Sequence, residues 1–433
     1  MLIEFSVKNF KSIKERQTLS MIATSGGELR SSNTTQVLNN KLDLVNSAAI
    51  YGPNASGKTN LIKGMDTMRR IVLTSSQGQH GDVVGVTPYL FSKKTQLLPT
   101  EFYITFISQN IRYEYGFITT NEQILEEWLF AYPKGRSQEW INRKYNQDTL
   151  KFEWGNMDKL IGPKQLLQDA TRPNALFLST AIQLNNKQLQ PVFDWFRLYF
   201  RTIVGNLVPN YTFELCKDSD SKQEIIHFLQ AADFNINDLE VISKAVDLQD
   251  FIGDILPPKT RDAISITRKS SSKDKSEIMT FDVKTIHIGE KVEEYKLNIE
   301  DESSGTKKFL TYAGPWLDVL KHGYVLVVDE LNNELHPYLI KFIIQMFHNK
   351  TINRNNAQLI LTTHETSILR QDIFRRDQIW FTEKDEYNAT NLFPLSDFNP
   401  RKNVENLETN YLNGRYGGLP YMRDVADLFR AEE

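Results

Sequence analysis

The sequence predicts an α/β fold: a mainly parallel sheet built around a strand–turn–helix unit, joined by an antiparallel β subdomain and a helical insertion. Three observations lead there. A short apolar run, a glycine-bearing turn and an amphipathic stretch follow one another over residues 44–74. Two further apolar runs, "VLVV" at 325–328 and "LIL" at 359–361, end in acids, threonines and a histidine. Strands covered on both faces read this way. Between these ends, residues 101–132 are rich in aromatic and β-branched residues with closely spaced turn signals, the pattern of a meander.

The 433 residues amount to roughly three domain-equivalents. A 40% hydrophobic and 24% charged composition supplies a sizeable core and excludes a disordered chain. With a net charge of -3, nothing global draws the chain to nucleic acid or to an acidic membrane surface. Cys216 is the one cysteine, which excludes an intramolecular disulfide and a zinc site made of cysteines. The opening "MLIEFSVKNFKSIKERQ" alternates and carries charge, unlike a signal peptide. No run approaches the roughly 18 apolar residues of a transmembrane helix. A cytoplasmic protein without a membrane partner is expected.

In chain order, Leu2 to Phe10 alternates and predicts a strand with one buried face. "LVNSAAIYG" (44–52) is a buried strand. Leu61, Ile62, Met65, Met68 and Val72 then share one helix face. The meander turns at 108–110 and 119–121. Residues 164–205 read as helical, and 222–255 as shorter helices. The polar run 266–279 reads as a loop, and a hairpin is expected around Gly289. Strands at 325–328, 357–363 and 377–384 complete the sheet, with a helix from Pro337 after the first. Domain boundaries fall at 1–95, 96–160, 161–265 and 266–433.

Gly52-Pro53-Asn54-Ala55-Ser56-Gly57-Lys58-Thr59 fits G-x-x-x-x-G-K-[ST]. Its glycines let backbone amides close on phosphate, Lys58 neutralises the terminal phosphates, and Thr59 offers a hydroxyl to magnesium. The helix start, which includes Asn60, adds partial positive charge. Asp329 is placed to hold magnesium, and Glu330 to polarise an attacking water. His364 ends the next strand, beside the nucleotide crevice. Glu302-Ser303-Ser304-Gly305-Thr306 starts an amphipathic run and serves as an anion site or as an N-cap. Asp218-Ser219-Asp220 has a metal-type spacing but lies in a polar segment, where it reads as a solvated turn.

These segments resemble an ABC-type ATPase head, as in chromosome-maintenance, RecF and OLD proteins. The nearer resemblance is to the stand-alone bacterial ATPases of phage defence and abortive infection (RloA, AbiL-type and AriA-like). "NFKSIKE", "AIYGPNASGKTNLIKG", "ESSGTKKFL", "VLVVDELNNELHP", "LILTTHE", "RRDQIWFTEKD" and "NYLNGRYGGLP" carry it. The resemblance implies ATP and Mg2+ as cofactors. It makes Gly52–Thr59 the Walker A loop, Asp329 the magnesium ligand with Thr59, Glu330 the catalytic acid and His364 the switch histidine. Ser303, Ser304, Gly305 and Thr306 become a signature that completes a second protomer's site in a head-to-tail dimer. Asn332 to Leu335 become the loop at that interface. The signature departs from the usual Leu-Ser-Gly-Gly-Gln. Gln77 and Gln79 are the candidates for the glutamine-loop residue. The function implied is a sensor or scaffold that controls a separate effector, a Toprim-type nuclease, in response to a phage-encoded trigger. The alternative is a DNA-repair or chromosome ATPase on duplex DNA, although the insert lacks the heptads of a coiled-coil arm. The tail from Asn410 either docks a partner or packs on the head.

Overall fold

The computed structural model describes residues 1–205, 210–247, 277–401 and 404–420. The chain forms two compact units, Met1–Asn206 with Val319–Glu433, and Leu207–Asp318. Strands are numbered along the chain.

The larger unit holds two main sheets. The first is antiparallel, in the order β10-β9-β8-β7-β6-β1-β2. Its strands are β1 (Leu2–Lys8), β2 (Gln17–Ser20), β6 (Thr100–Ser108), β7 (Ile111–Thr119), β8 (Ile124–Ala131), β9 (Gln138–Asn146) and β10 (Lys151–Trp154). The meander therefore turns where expected, and it extends further than expected. On β1, Leu2, Phe5 and Val7 are buried in one core, Leu2 joining them because the register with β6 shifts between Leu2 and Glu4, and Ile3 and Ser6 are buried too. Ile3 packs with Leu44 and Ile107, so the expectation of one buried face is corrected.

The second sheet has the order β11-β15-β16-β5-β17-β18. It comprises β5 (Ser47–Tyr51), β11 (Phe200–Ile203), β15 (Val325–Val328), β16 (Gln358–Thr362), β17 (Ile379–Lys384) and β18 (Thr390–Pro394). All pairs are parallel except β17 with β18. The apolar runs are buried at every position of β5, β15 and β16, the cover that βαβ crossovers provide. The edge strand β11 replaces the end of the helical stretch expected through 205. Tertiary pairing with Val325–Val328 outweighs its local pattern. A short hairpin, β3 (Thr34–Val37) with β4 (Leu42–Val45), completes this unit's strands among the described residues.

Helix α1 (Lys58–Thr74) follows β5. Leu61, Ile62, Met65, Met68, Ile71 and Val72 are buried in one core with Phe5 and Val7 of the first sheet and Ile50 and Ile360 of the second. At about 1.5–3 kcal/mol per buried side chain, this face fixes the helix and hence its N-terminus. Helix α2 (Phe177–Gln183) is held at its N-terminus by the buried Glu127 of β8. Its carboxylate accepts the N–H groups of Phe177 and Leu178 at 2.6 and 3.0 Å.

In the smaller unit β12 (Asp238–Asp247), β13 (Glu277–Ile288) and β14 (Glu294–Asn298) form an antiparallel sheet. The hairpin around Gly289 is present. After helix α3 (Ser219–Ala231) the expected helices give way to β12, whose residues cross-pair along ten positions with β13. Residues 277–279 open β13 instead of ending a loop; the rest of 266–276 lies outside the described residues. Helix α4 (Ser304–His322) buries Phe309, Tyr312 and Trp316, with Phe309 stacked on Phe228 at 4.9 Å. Among the described residues no helix is long and apolar enough to cross a membrane.

Candidate active site

The loop between β5 and α1 is shaped by the strands beside it. Gly52 (φ 152°) and Gly57 (φ 111°) take conformations that suit glycine. A Cβ on Gly52 would fall 2.4 Å from the Thr382 carbonyl oxygen, and one on Gly57 2.0 Å from Thr390 Oγ1. Both glycines are thus required by the close approach of β17 and β18. A relay of hydroxyls holds the loop there. Asn60 Nδ2 donates to Ser12 Oγ at 2.7 Å, and Thr390 Oγ1 donates to the Ser56 carbonyl at 2.8 Å. Ser12 Oγ and Thr390 Oγ1 are 2.7 Å apart. Thr390 has one proton and spends it on Ser56, so Ser12 is the donor between them. Ser56 Oγ meets Thr382 Oγ1 at 2.6 Å. Ser12, Thr382 and Thr390 were not singled out from the sequence; only their polarity within strand or turn segments marked them.

Lys58 is buried at the start of α1. Its Nζ donates to the carbonyls of Gly52 at 2.7 Å and Pro53 at 3.0 Å. Burial brings its pKa down to about 8, against the opposing pull of Glu330 and Asp329. Thr59 and Asn60 are half-buried, and Asn54 and Ala55 are exposed, Ala55 at φ 62°.

Asp329 and Glu330 follow β15. The Asp329 N–H donates to Ile203 O on β11 at 3.0 Å. Thr362, ending β16, donates its hydroxyl proton to Asp329 Oδ1 at 2.7 Å and accepts the Glu330 N–H at 2.7 Å. Glu330 has φ 53°, a left-handed conformation that costs about 1–3 kcal/mol outside glycine and persists where its surroundings impose it. Its carboxylate accepts from Asn333 Nδ2 at 2.6 Å. Asn332 Oδ1 accepts the His364 N–H at 3.1 Å, so the loop 329–335 is stitched to the end of β16. The His364 ring is exposed to the cleft; partial desolvation and then the Lys58 charge lower its pKa, with Glu330 and Asp329 opposing.

These parts meet in one cleft of about 500 Å³. Loop residues 54–60, Glu330 and His364 line it together with Lys11, Lys384 and Phe91. A larger depression, about 910 Å³, lies around Glu28, Asp372 and Glu405. Arginines already pair those acids (Arg376, Arg370 and Arg415), and no phosphate-loop residue reaches that depression.

The signature segment belongs to the smaller unit. Ser303 Oγ accepts the Thr306 N–H at 3.0 Å and bonds the Thr306 hydroxyl at 2.7 Å. Ser303 is therefore the N-cap of α4, while Ser304 is exposed. Gln77 and Gln79 lie beyond the C-terminal end of α1, whose 17 residues place them about 25 Å along the helix from the loop. Asp218 caps α3 through the Ser221 N–H, which corrects the solvated-turn reading of 218–220. Cys216 is buried and free. Of the tail, Tyr411 is buried, its hydroxyl donating to Gly418 O, and its ring stacks on Phe381 at 5.2 Å; 421–433 lies outside the described residues. Packing on the head is thus what residues 410–418 do.

The residues present fit a magnesium nucleotide. A buried ammonium satisfied only by loop carbonyls sits beside two acids, and a phosphate oxygen offers it a stronger partner. Among the described residues no three Asp, Glu, His or Cys side chains gather as a protein metal cage. Asp329 and Thr59 offer the few hard oxygen donors that Mg2+ takes from a protein.

Among solved structures, the chain is similar to the SMC head domain from Thermotoga maritima, with 10% identity and a TM-score of 0.39. That match covers 91% of this chain and 98% of that one. It is also similar to the Smc head domain with an extended coiled coil bound to the C-terminal domain of ScpA, from Pyrococcus furiosus, at 12% identity and a TM-score of 0.38, covering 91% and 96%. No curated protein matches the chain. Residues 47–370, about three-quarters of the sequence, match a family described as "AAA domain, putative AbiEii toxin, Type IV TA system". That span runs from the first residue of β5 past His364, and the chain belongs to this AAA-domain family.

Proposed function

We propose that the protein is a Mg2+-dependent ATPase of ABC type that works as the sensor or scaffold of an antiphage, abortive-infection system and governs a separate effector, a Toprim-type nuclease. The observation that carries the ATPase part is the buried Lys58 facing Asp329 and Glu330 beneath the phosphate loop. Membership of an AAA family described by a toxin of toxin–antitoxin systems supports the defence part.

Each residue then has a role. The backbone N–H groups of Asn54–Asn60 and the ammonium of Lys58 bind and orient the β- and γ-phosphates. Thr59 and Asp329 would hold magnesium, which would supply positive charge to offset that of the triphosphate. Glu330 accepts a proton from the attacking water. His364, kept neutral by its lowered pKa, donates one N–H to the γ-phosphate. Ser303, Ser304 and Gly305 of a second copy close the site, with Asn332–Leu335 at the seam.

Glu330→Gln tests the reading. Turnover falls by about 10²–10⁴ while ATP still binds; hydrolysis near the wild-type rate overturns the assignment. Pull-down with the product of the neighbouring gene tests the effector. A stoichiometric nuclease supports it, and salt-sensitive binding to duplex DNA with no such partner points to a repair or chromosome ATPase.

A further inference from the structure

The two sides of the cleft follow from strand order. The phosphate loop leaves β5, which lies between β16 and β17. Glu330 and His364 come from the ends of β15 and β16, on one side. The other side is reached through β18: the Thr390 N–H donates to Ser12 O at 2.8 Å, and the Lys11 N–H donates to Thr87 O at 2.9 Å. The segment from Thr87 continues into Leu90 and Phe91, which line the same cleft. A nucleotide with its γ-phosphate toward Glu330 therefore has its base toward Leu90 and Phe91.

Those two side chains are 54% and 65% exposed, a cost in apolar hydration that burial against a ligand would recover. Their backbone is firmly held. Buried Asn9 accepts the Tyr89 N–H at 3.0 Å and donates to the carbonyls of Thr95 and Leu98 at 2.9 and 2.7 Å. The Tyr89 ring is buried, its hydroxyl donates to Tyr387 O, and Phe91 packs edge-on against it at 5.7 Å. The carbonyls of Thr87, Tyr89 and Leu90 are taken by the Lys11 N–H, the Thr95 hydroxyl and the Gln96 amide.

We propose that Phe91, backed by Leu90, is the platform on which the nucleobase stacks, and that this wall reads the base by its face and not by its edge. The inference rests on the nucleotide reading of the cleft. Stacking of this kind tolerates any base, because every base has a π-face.

Calorimetry on the full chain with Mg2+ and three probes, ATP, GTP and inorganic tripolyphosphate, tests it. In the wild type, ATP and GTP bind within about tenfold of each other, and both bind more tightly than tripolyphosphate. Phe91→Ala weakens both nucleotides about 10–100-fold, toward the affinity of tripolyphosphate, which itself is unchanged. Phe91→Trp retains nucleotide affinity. Wild-type ATP affinity in Phe91→Ala, or an equal loss for tripolyphosphate, overturns the platform. A wild-type preference between ATP and GTP beyond tenfold overturns reading by the face. Failure of the wild type to bind either ATP or tripolyphosphate overturns the nucleotide site itself, and the platform with it.

Discussion

The Thr362 hydroxyl donates to the Asp329 carboxylate at 2.7 Å and, through a lone pair, accepts the Glu330 N–H at 2.7 Å. One fully buried atom group at the end of β16 thus sets both acids that follow β15. Thr362→Val keeps the shape and removes both bonds. Stability is expected to fall by about 1–3 kcal/mol, since the Glu330 N–H loses its partner. The Mg2+ needed for half-maximal hydrolysis rises about tenfold, as Asp329 is freed, while ATP affinity changes little. Thr362→Ser restores both. A magnesium titration and thermal unfolding of the three proteins check this; an unshifted titration in the valine variant would show that Asp329 needs no brace.

Glu127 and Arg143 are fully buried at 4.0 Å in the antiparallel sheet. The carboxylate also accepts from Tyr115 at 3.0 Å and from the start of α2. The guanidinium donates to Ala175 O at 2.8 Å and lies 3.8 Å over the Phe152 ring. Burial brings the Arg143 pKa down to about 10. Glu127→Ala leaves that cation unpaired and two N–H groups uncapped, so a loss of about 3–5 kcal/mol is expected. Glu127→Gln retains an acceptor and loses less. Urea midpoints for the two variants measure the difference; equal and small losses would mean the pair is dispensable.

His348 is buried at the end of the helix Pro337–His348, with Nε2 2.7 Å from Ser47 Oγ. Burial, and then the Lys350 charge, lower its pKa to about 3. The folded-state value lies below the ordinary value of 6.5. The unfolded chain therefore gains a proton as pH falls below about 6.5, and the folded chain gains none until about 3. Stability from this group is complete above pH 6.5 and is lost toward pH 3, with a slope of up to about 1.4 kcal/mol per pH unit. Urea midpoints between pH 7.5 and 4.5 should fall less steeply in His348→Gln than in the wild type. Parallel curves would place the acid sensitivity elsewhere.

A head-to-tail dimer makes a further prediction. Ser304→Arg fills the exposed start of α4 with bulk and charge, and Lys58→Ala empties the phosphate loop of its cation. Each variant alone should be inactive. In an equimolar mixture, one of the two composite sites of each mixed dimer is rebuilt from intact halves, and hydrolysis should recover toward about a quarter of the wild-type rate if the chains exchange freely and the sites act independently. No recovery, together with a wild type that stays monomeric in ATP, would mean that each site is complete within one chain.

The parts legible in the sequence were those written over a few consecutive residues. Apolar runs covered on both faces located β5, β15 and β16, alternation located β1, aromatic and β-branched runs between turn signals located the meander, and glycine, lysine and acid spacing located the loop and the two acids. The supporting groups were not legible. Ser12, Thr362, Thr382 and Thr390 are ordinary polar residues along the chain; Thr390 and Ser56 stand 334 positions apart yet share a hydrogen bond. Strand order brings them together: β5 is inserted between β16 and β17, so its loop is braced by hydroxyls from one side, and the acids that follow β15 lie on the other. The same order sets Leu90 and Phe91 beside the loop. Residues 200–203 and 238–247 were misread as helical because local pattern alone decided them, whereas pairing with β15 and β13 decides their conformation. Short-range periodicity encodes which face of an element is apolar. Which element lies beside it depends on long-range pairing, and only the assembled sheet determines that.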